Sequence, residues 1–189
     1  MVTENNLIYQ MKLSLALRQR KIFLNDEINE DSVFECMYYF YRLMDMDNKL
    51  KKKEPIELYI NSNGGLVTEC MSLISLIEQM KEDGYTIITI NAGKAYSAGF
   101  FIVLAGSIRK AYRYSEYMYH SLSAGTIDRL QAMVEDIEHF TQNQKLIHSI
   151  VSKYSDILTE ELVEFDRCKI DKFYTPEEML KYKAVDVIL

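Results

Sequence analysis

An α/β fold with parallel strands joined by crossover helices is predicted for this 189-residue chain. Two observations carry the prediction. Short apolar or β-branched runs, Lys21–Leu24, Ile56–Ile60 and Thr86–Asn91, read as strands, and longer segments of helical period separate them. Regular strand–helix–strand alternation implies a parallel sheet with helices packed on it. A third observation sets the domain count: two prolines, seven glycines and no Ser/Gly-rich linker leave nothing to divide residues 1–189. A single domain of this length buries a sizeable core without staples.

The elements follow in order. Residues 1–12 carry no strong period and read as a flexible N-terminal segment. Lys12–Leu17 suits a short helix and Lys21–Leu24 a strand ended by Asn25-Asp26. Ser32-Val-Phe-Glu35 reads as a capping box, followed by Val33, Phe34, Met37, Tyr38, Tyr41 and Met44 on one helical face to about Asp47. After the strand Ile56–Ile60, Asn61-Ser-Asn-Gly-Gly65 makes a tight turn whose glycines admit positive φ and close approach of a ligand. A largely buried helix follows from about Thr68 to Glu82, with Gly84 ending it. Thr86–Asn91 is the next strand and Phe100–Ala105 a short buried helix. Tyr112, Tyr114, Tyr117 and Tyr119 mark a further strand ending at His120, before a loop Ser121–Gly125.

Residues 127–154 hold the longest helical pattern. About 27 residues would span about 40 Å, more than a compact chain of this length covers, whose radius of gyration is about 16 Å. Part of that helix is expected to protrude and be covered by another subunit. His139 and His148 fall on its polar side and read as solvated. Thr159-Glu-Glu starts another helix, Thr175-Pro-Glu-Glu178 a further one with cap and N1 proline, and Ala184–Leu189 docks as a strand.

Charge and composition exclude several classes. A net charge of −6 and a pI near 5.2 argue against a general nucleic-acid binder, and Lys49–Lys53 reads as a solvated loop. Cys36, Cys70 and Cys168 are odd in number and form no CxxC pair, as suits reduced thiols in a cytoplasmic compartment. The three histidines lack partners at ligand spacing, so neither a metal site nor a cofactor is expected. The N-terminus has no signal-peptide pattern and no stretch reaches the ~18 apolar residues of a membrane span.

Chemistry gathers at element ends. Ser97, in Lys94-Ala-Tyr-Ser-Ala-Gly99, stands where a strand turns into a helix, facing unpaired N–H groups that favour a developing negative charge. The same serine also reads as a simple N-cap. His120 ends a strand and Asp171 precedes a helix. An imidazole that takes the serine proton and a carboxylate that orients the imidazole would make a nucleophilic triad, though spacing alone leaves convergence open.

Four blocks sharpen this reading: Tyr59-Ile-Asn-Ser-Asn-Gly-Gly65, Ala95-Tyr-Ser-Ala-Gly99, Met118-Tyr-His120 and Asp171-Lys-Phe173. In this order they resemble the ATP-dependent Clp protease proteolytic subunit family, and the similarity runs from about Ser14 to the Val-Asp-Val-Ile-Leu end. The resemblance implies a crotonase-like spiral of ββα units with residues 127–154 as a protruding handle helix. It implies Ser97 as nucleophile, His120 as general base and then acid, and Asp171 as orienting carboxylate. The N–H groups of Gly65 and Ala98 would form the oxyanion hole. It further implies a homo-oligomer of heptameric rings, stacked or single, cutting unfolded polypeptides fed by an AAA+ unfoldase. ATP would be used by that partner, with no cofactor in this chain, no nucleic acid and no membrane.

The chain departs from the family pattern at Asn63 in the glycine turn, at Ile170 before the acid, and by one extra residue between Asp166 and Asp171. Asp166 is therefore a second candidate for the acid. Tyr59 and Ile90 keep the aromatic and apolar character of the family's unfoldase-docking pocket, while Glu57 and Lys110 depart from it. Rival readings are a Ser–Lys dyad using Lys94, a crotonase-type acyl-CoA enzyme, and a catalytically silent ring subunit.

Overall fold

The computed structural model describes residues 13–122 and 130–189, with side chains from residue 137 onward in the second stretch. The N-terminal segment 1–12, the end of the loop at 121–125 and the start of the long helix at 127–129 lie outside the described residues. Residues 13–18 form helix α1, and β1 (Lys21–Leu24) follows. The order is then α2 (Glu30–Leu50), β2 (Ile56–Ser62), α3 (Val67–Glu82), β3 (Ile87–Tyr96) and α4 (Ala98–Leu104). After these come β4 (Ile108–Ala111), β5 (Glu116–Tyr119), α5 (Leu130–Tyr154) and α6 (Thr159–Cys168). Strand β6 (Lys172–Tyr174), α7 (Pro176–Lys181) and β7 (Val187–Ile188) complete the chain.

The predicted α/β class is what the structure shows. Strands β1-β2-β3-β4-β7 run parallel in that order, and β5 joins β3 in parallel and β6 in antiparallel fashion. Strand β3 is the axis of the sheet. Its first half, Ile88–Asn91, pairs with β4, and its second half, Lys94–Tyr96, pairs with β5. One strand therefore feeds two sheet segments, and its C-terminal end lies beside the C-terminal end of β5.

Burial explains each layer. Along β2 the alternation of Ile56, Leu58 and Ile60 sends aliphatic side chains inward. Every residue of α4 is buried, as its uniformly apolar sequence requires. Buried polar atoms on β3 find partners: Thr89 donates to the Val103 carbonyl at 2.6 Å and Asn91 Nδ2 to the Glu116 carbonyl at 2.9 Å. The Arg20 guanidinium grips the buried Asp47 carboxylate in a fork of 2.8 and 2.7 Å, tying the turn before β1 to the C-terminal part of α2.

Several local expectations are corrected. Helix α2 starts earlier than Ser32: Asn29 is the N-cap, and Ser32 occupies the third helical position of the capping box. Its core face is Val33, Cys36, Phe40 and Leu43, whereas Phe34, Tyr38 and Tyr41 are 71, 45 and 54% exposed. Two apolar stripes of helical spacing run along this helix, and the sheet accepts only one. Strand β4 was not foreseen, because Ile108–Ala111 alternates too briefly to stand out. The tyrosine run is a strand only from Glu116, since Ser115 bonds back to the Tyr112 carbonyl and closes a turn. His139 is exposed as expected, but His148 is buried.

Candidate active site

Ser97 sits between the end of β3 and the start of α4, with φ 51° and ψ −122°. A non-glycine residue adopts positive φ rarely and at a cost of about 1–3 kcal/mol, and such strain gathers at functional turns. Ser97 is the N-cap position of α4, yet its side chain makes no capping hydrogen bond. The bland N-cap reading therefore loses its physical basis.

The hydroxyl points elsewhere. Ser97 Oγ lies 2.8 Å from His120 Nε2. The parallel register of β3 and β5, Tyr96 opposite Met118, brings the two strand ends together, and Ser97 N donates to the Met118 carbonyl at 2.8 Å. His120 follows β5 directly. Lys94 lies opposite Glu116 and makes no hydrogen bond to Ser97 among the described residues, so the geometry pairs the serine with the imidazole.

Beside this pair is the glycine turn. Gly64 has φ +97°, and a Cβ there would meet Ser97 Cβ at 2.7 Å and the Ala98 nitrogen at 3.2 Å. Gly65 has φ +152° and is bridged to Ile28; a Cβ on it would meet the Ile28 carbonyl oxygen at 2.1 Å. Only glycines let this turn lie flush against the serine. Neither the Gly65 N–H nor the Ala98 N–H donates an internal hydrogen bond among the described residues. Two unbonded amides thus flank the turn that carries the hydroxyl.

Asp171 is not joined to the pair. It is exposed, and the His120 ring meets only Ser97 among the described residues. The backbone nevertheless brings Asp171 alongside: β6 pairs antiparallel with β5, Tyr119 opposite Lys172, so Asp171 and His120 are the next residues along that ladder. Between Asp166 and Asp171, α6 ends in a left-handed Lys169 at φ 52°. Asp166, the second candidate for the acid, is engaged elsewhere. Its Oδ2 accepts from His148 Nε2 at 2.7 Å and its Oδ1 from the Tyr119 hydroxyl at 2.9 Å. Gly64 and Tyr119 lie inside the sequence blocks that marked the site, but nothing in sequence spacing marked His148, which a helical pattern placed on a solvated face.

Tyr96, next to Ser97, hydrogen-bonds to Glu116, and that bond together with partial burial pushes its phenol up to about 12. Its ring meets Phe173 edge-on at 5.8 Å. On β2, Tyr59 stacks on half-exposed Phe23 at 5.1 Å and donates to Glu57 at 2.9 Å. Ile90 is buried, so of the expected docking residues Tyr59 alone keeps an aromatic face near the surface. Among the described residues no group of three or more His, Cys, Asp or Glu side chains could hold a metal, and no helix is long and apolar enough to cross a membrane.

A hydroxyl at 2.8 Å from an imidazole, beside two unbonded amides on a parallel α/β sheet, defines a site of the hydrolase class. The Clp protease family model matches residues 4–189, and the chain belongs to that family of peptidases. It is 30% identical to the ATP-dependent Clp protease proteolytic subunit of Borreliella afzelii, over 93% of this chain and 86% of the relative. It is 30% identical to the ATP-dependent Clp protease proteolytic subunit 1 of Borreliella burgdorferi, over 93% and 87%. With the ATP-dependent Clp protease proteolytic subunit 3 of a Synechococcus species it shares 31% identity over 90% and 82%.

Proposed function

We propose that this chain is a serine endopeptidase subunit that cuts unfolded polypeptides through an acyl-enzyme. The observation that carries the reading is the 2.8 Å contact between Ser97 Oγ and His120 Nε2 at a strained strand–helix turn. In the first step Ser97 Oγ attacks the scissile carbonyl carbon while His120 Nε2 accepts its proton. The carbonyl oxygen becomes an oxyanion and takes hydrogen bonds from Gly65 and Ala98 N–H, each such donor being worth about 3–4 kcal/mol in the transition state. Collapse breaks the C–N bond, and His120 returns the proton to the leaving amine. Water, deprotonated by His120, then releases the acyl group.

Asp171 is assigned the orienting carboxylate, because the β5–β6 ladder brings it abreast of His120. The role requires its carboxylate to reach Nδ1, and catalytic hydrogen bonds often tighten only when substrate is bound. Assembly belongs to the same proposal. The relatives are named proteolytic subunits of an ATP-dependent protease, which supports a homo-oligomer served by an ATPase partner. Exposed Phe34 and Ile137, at 71 and 61%, offer apolar surface for such contacts.

A fluorophosphonate probe tests the reading. Covalent labelling at Ser97, absent from the Ser97→Ala variant together with peptide cleavage, is the expected result. Cleavage unchanged in Ser97→Ala would sink the proposal, and an assembled protein that never labels would favour the catalytically silent subunit.

A further inference from the structure

Behind His120 lies a polar cluster that the proposed chemistry does not use. It draws Tyr119 from β5, Gln144 and His148 from α5 and Asp166 from α6. Tyr119 is fully buried, and the side chains of His148 and Asp166 are 10 and 18% exposed. Burial and the adjacent Asp166 raise the Tyr119 phenol far above its ordinary value, so it remains a hydroxyl donor.

The donor sense of the cluster follows from what each group can do. Leu122 N–H donates to Gln144 Oε1 at 2.8 Å, which fixes the amide and turns its Nε2 toward Tyr119. Gln144 Nε2 donates to the Tyr119 oxygen at 3.0 Å, and Tyr119 donates onward to Asp166 Oδ1 at 2.9 Å. The Asp166 carboxylate only accepts, so His148 carries a proton on Nε2 and donates it to Oδ2 at 2.7 Å. His148 Nε2 also lies 3.0 Å from the Tyr119 oxygen, so its one proton is shared between that oxygen and the nearer Asp166 Oδ2, and each remaining bond has one donor and one acceptor. The 3.2 Å approach of Gln144 Nε2 to His148 Nε2 is then a contact between two donors and adds no bond.

The geometry points to Gln144 as a positioning residue for the catalytic base, resting on the role proposed for His120. One side chain holds the residue immediately before His120, through the Tyr119 hydroxyl, and the residue two after it, through the Leu122 amide. His120 is thus clamped from both sides by a single amide on α5, and Asp166 with His148 fixes the far end of the clamp. Phe101 and Phe165 wall Tyr119 at ring distances of 6.3 and 6.4 Å, which leaves the tyrosine one seat. Gln144 touches neither Ser97 nor the His120 ring, so its effect is exerted through backbone position.

Gln144→Ala is the test, with Tyr119→Phe as a second variant that keeps the ring packing and deletes only the hydroxyl. A base displaced by about 1 Å loses up to about 100-fold in rate. Each variant is therefore expected to lower kcat for a peptide substrate by about 10- to 100-fold, with KM changed less than about twofold, and to slow fluorophosphonate labelling in proportion. The double variant is expected to fall no further than Gln144→Ala, because both changes break the same chain. Unchanged kcat in folded Gln144→Ala would overturn the inference, as would equal losses in kcat and KM. A crystal structure of Gln144→Ala supplies a readout that needs no turnover: Ser97 Oγ and His120 Nε2 separated beyond hydrogen-bond reach supports the clamp, and an unmoved pair refutes it. Failure of the wild type itself to label would count against the proposed peptidase chemistry, while the crystal structure still decides the clamp.

Discussion

Ser97 holds a conformation, φ 51° and ψ −122°, that glycine would adopt with less strain. Ser97→Gly is therefore expected to stabilise the fold by about 1 kcal/mol while abolishing probe labelling. A urea titration reads the first effect and mass spectrometry the second. At Gly64 the expectation is reversed. An added methyl group would sit 2.7 Å from Ser97 Cβ and 2.8 Å from the Tyr96 carbonyl oxygen, on a backbone already at φ +97°. Gly64→Ala should cost about 2–3 kcal/mol, seen as a lower denaturant midpoint, and push the serine away from His120. The Ser97 position was legible because a hydroxyl between a β-branched run and a helix start is a local pattern. The role of Gly64 was legible only as a turn, since its contact with Ser97 joins residues far apart in the chain.

At the scale of elements, caps and end ties set the boundaries. Helix α7 begins at Thr175, whose hydroxyl accepts from Glu178 N–H at 3.2 Å while the Glu178 carboxylate accepts from Thr175 N–H at 2.8 Å. Thr175→Ala should cost about 1 kcal/mol by thermal melting. Strand β7 is held by the Arg109–Asp186 fork, with Arg109 Nη2 to Oδ1 at 2.7 Å and Arg109 N–H to Oδ2 at 2.7 Å. Burial works to raise the Asp186 carboxyl, but the hydrogen bonds from Arg109 outweigh it and hold the group below its ordinary 3.8. A lowered folded value means the tie contributes fully above the unfolded value and fades as pH falls through the folded one. Protection factors of the Val187 and Leu189 amides, referenced to intrinsic exchange at each pH, should fall below about pH 4 in the wild type, and Asp186→Asn should remove that acid dependence. The α7 start was readable because proline, acids and a threonine cap sit within one turn of sequence. The β7 tie spans 77 positions and was not readable.

Across the whole molecule, α2 shows how far a pattern can mislead. Its sequence carries two apolar stripes, and the tertiary structure buries Val33, Cys36, Phe40 and Leu43 and leaves Phe34, Tyr38 and Tyr41 outside. Burial in the core raises the Cys36 thiol to about 12, so it stays protonated and inert. The exposed stripe is expected to lie against another subunit. Native mass spectrometry should then give a multiple of 22.2 kDa, and Phe34→Asp should shift that mass downward without unfolding the protomer.

The sequence by itself determined the α/β class, most strands and helices, the family, and the identity of Ser97 and His120 as candidates. These rest on local periodicity, turn chemistry and short ordered blocks, which a chain displays without being folded. Only the tertiary structure decided which carboxylate stands where. Asp166 is drawn into a buried cluster with His148 and Tyr119, and Asp171 is left exposed beside His120 with no bond to it. It also turned His148 from an apparently solvated residue into a buried partner. The physical reason is that pairing across strands and packing between helices depend on register and crossing geometry, set by the whole sheet at once and carried by no single segment.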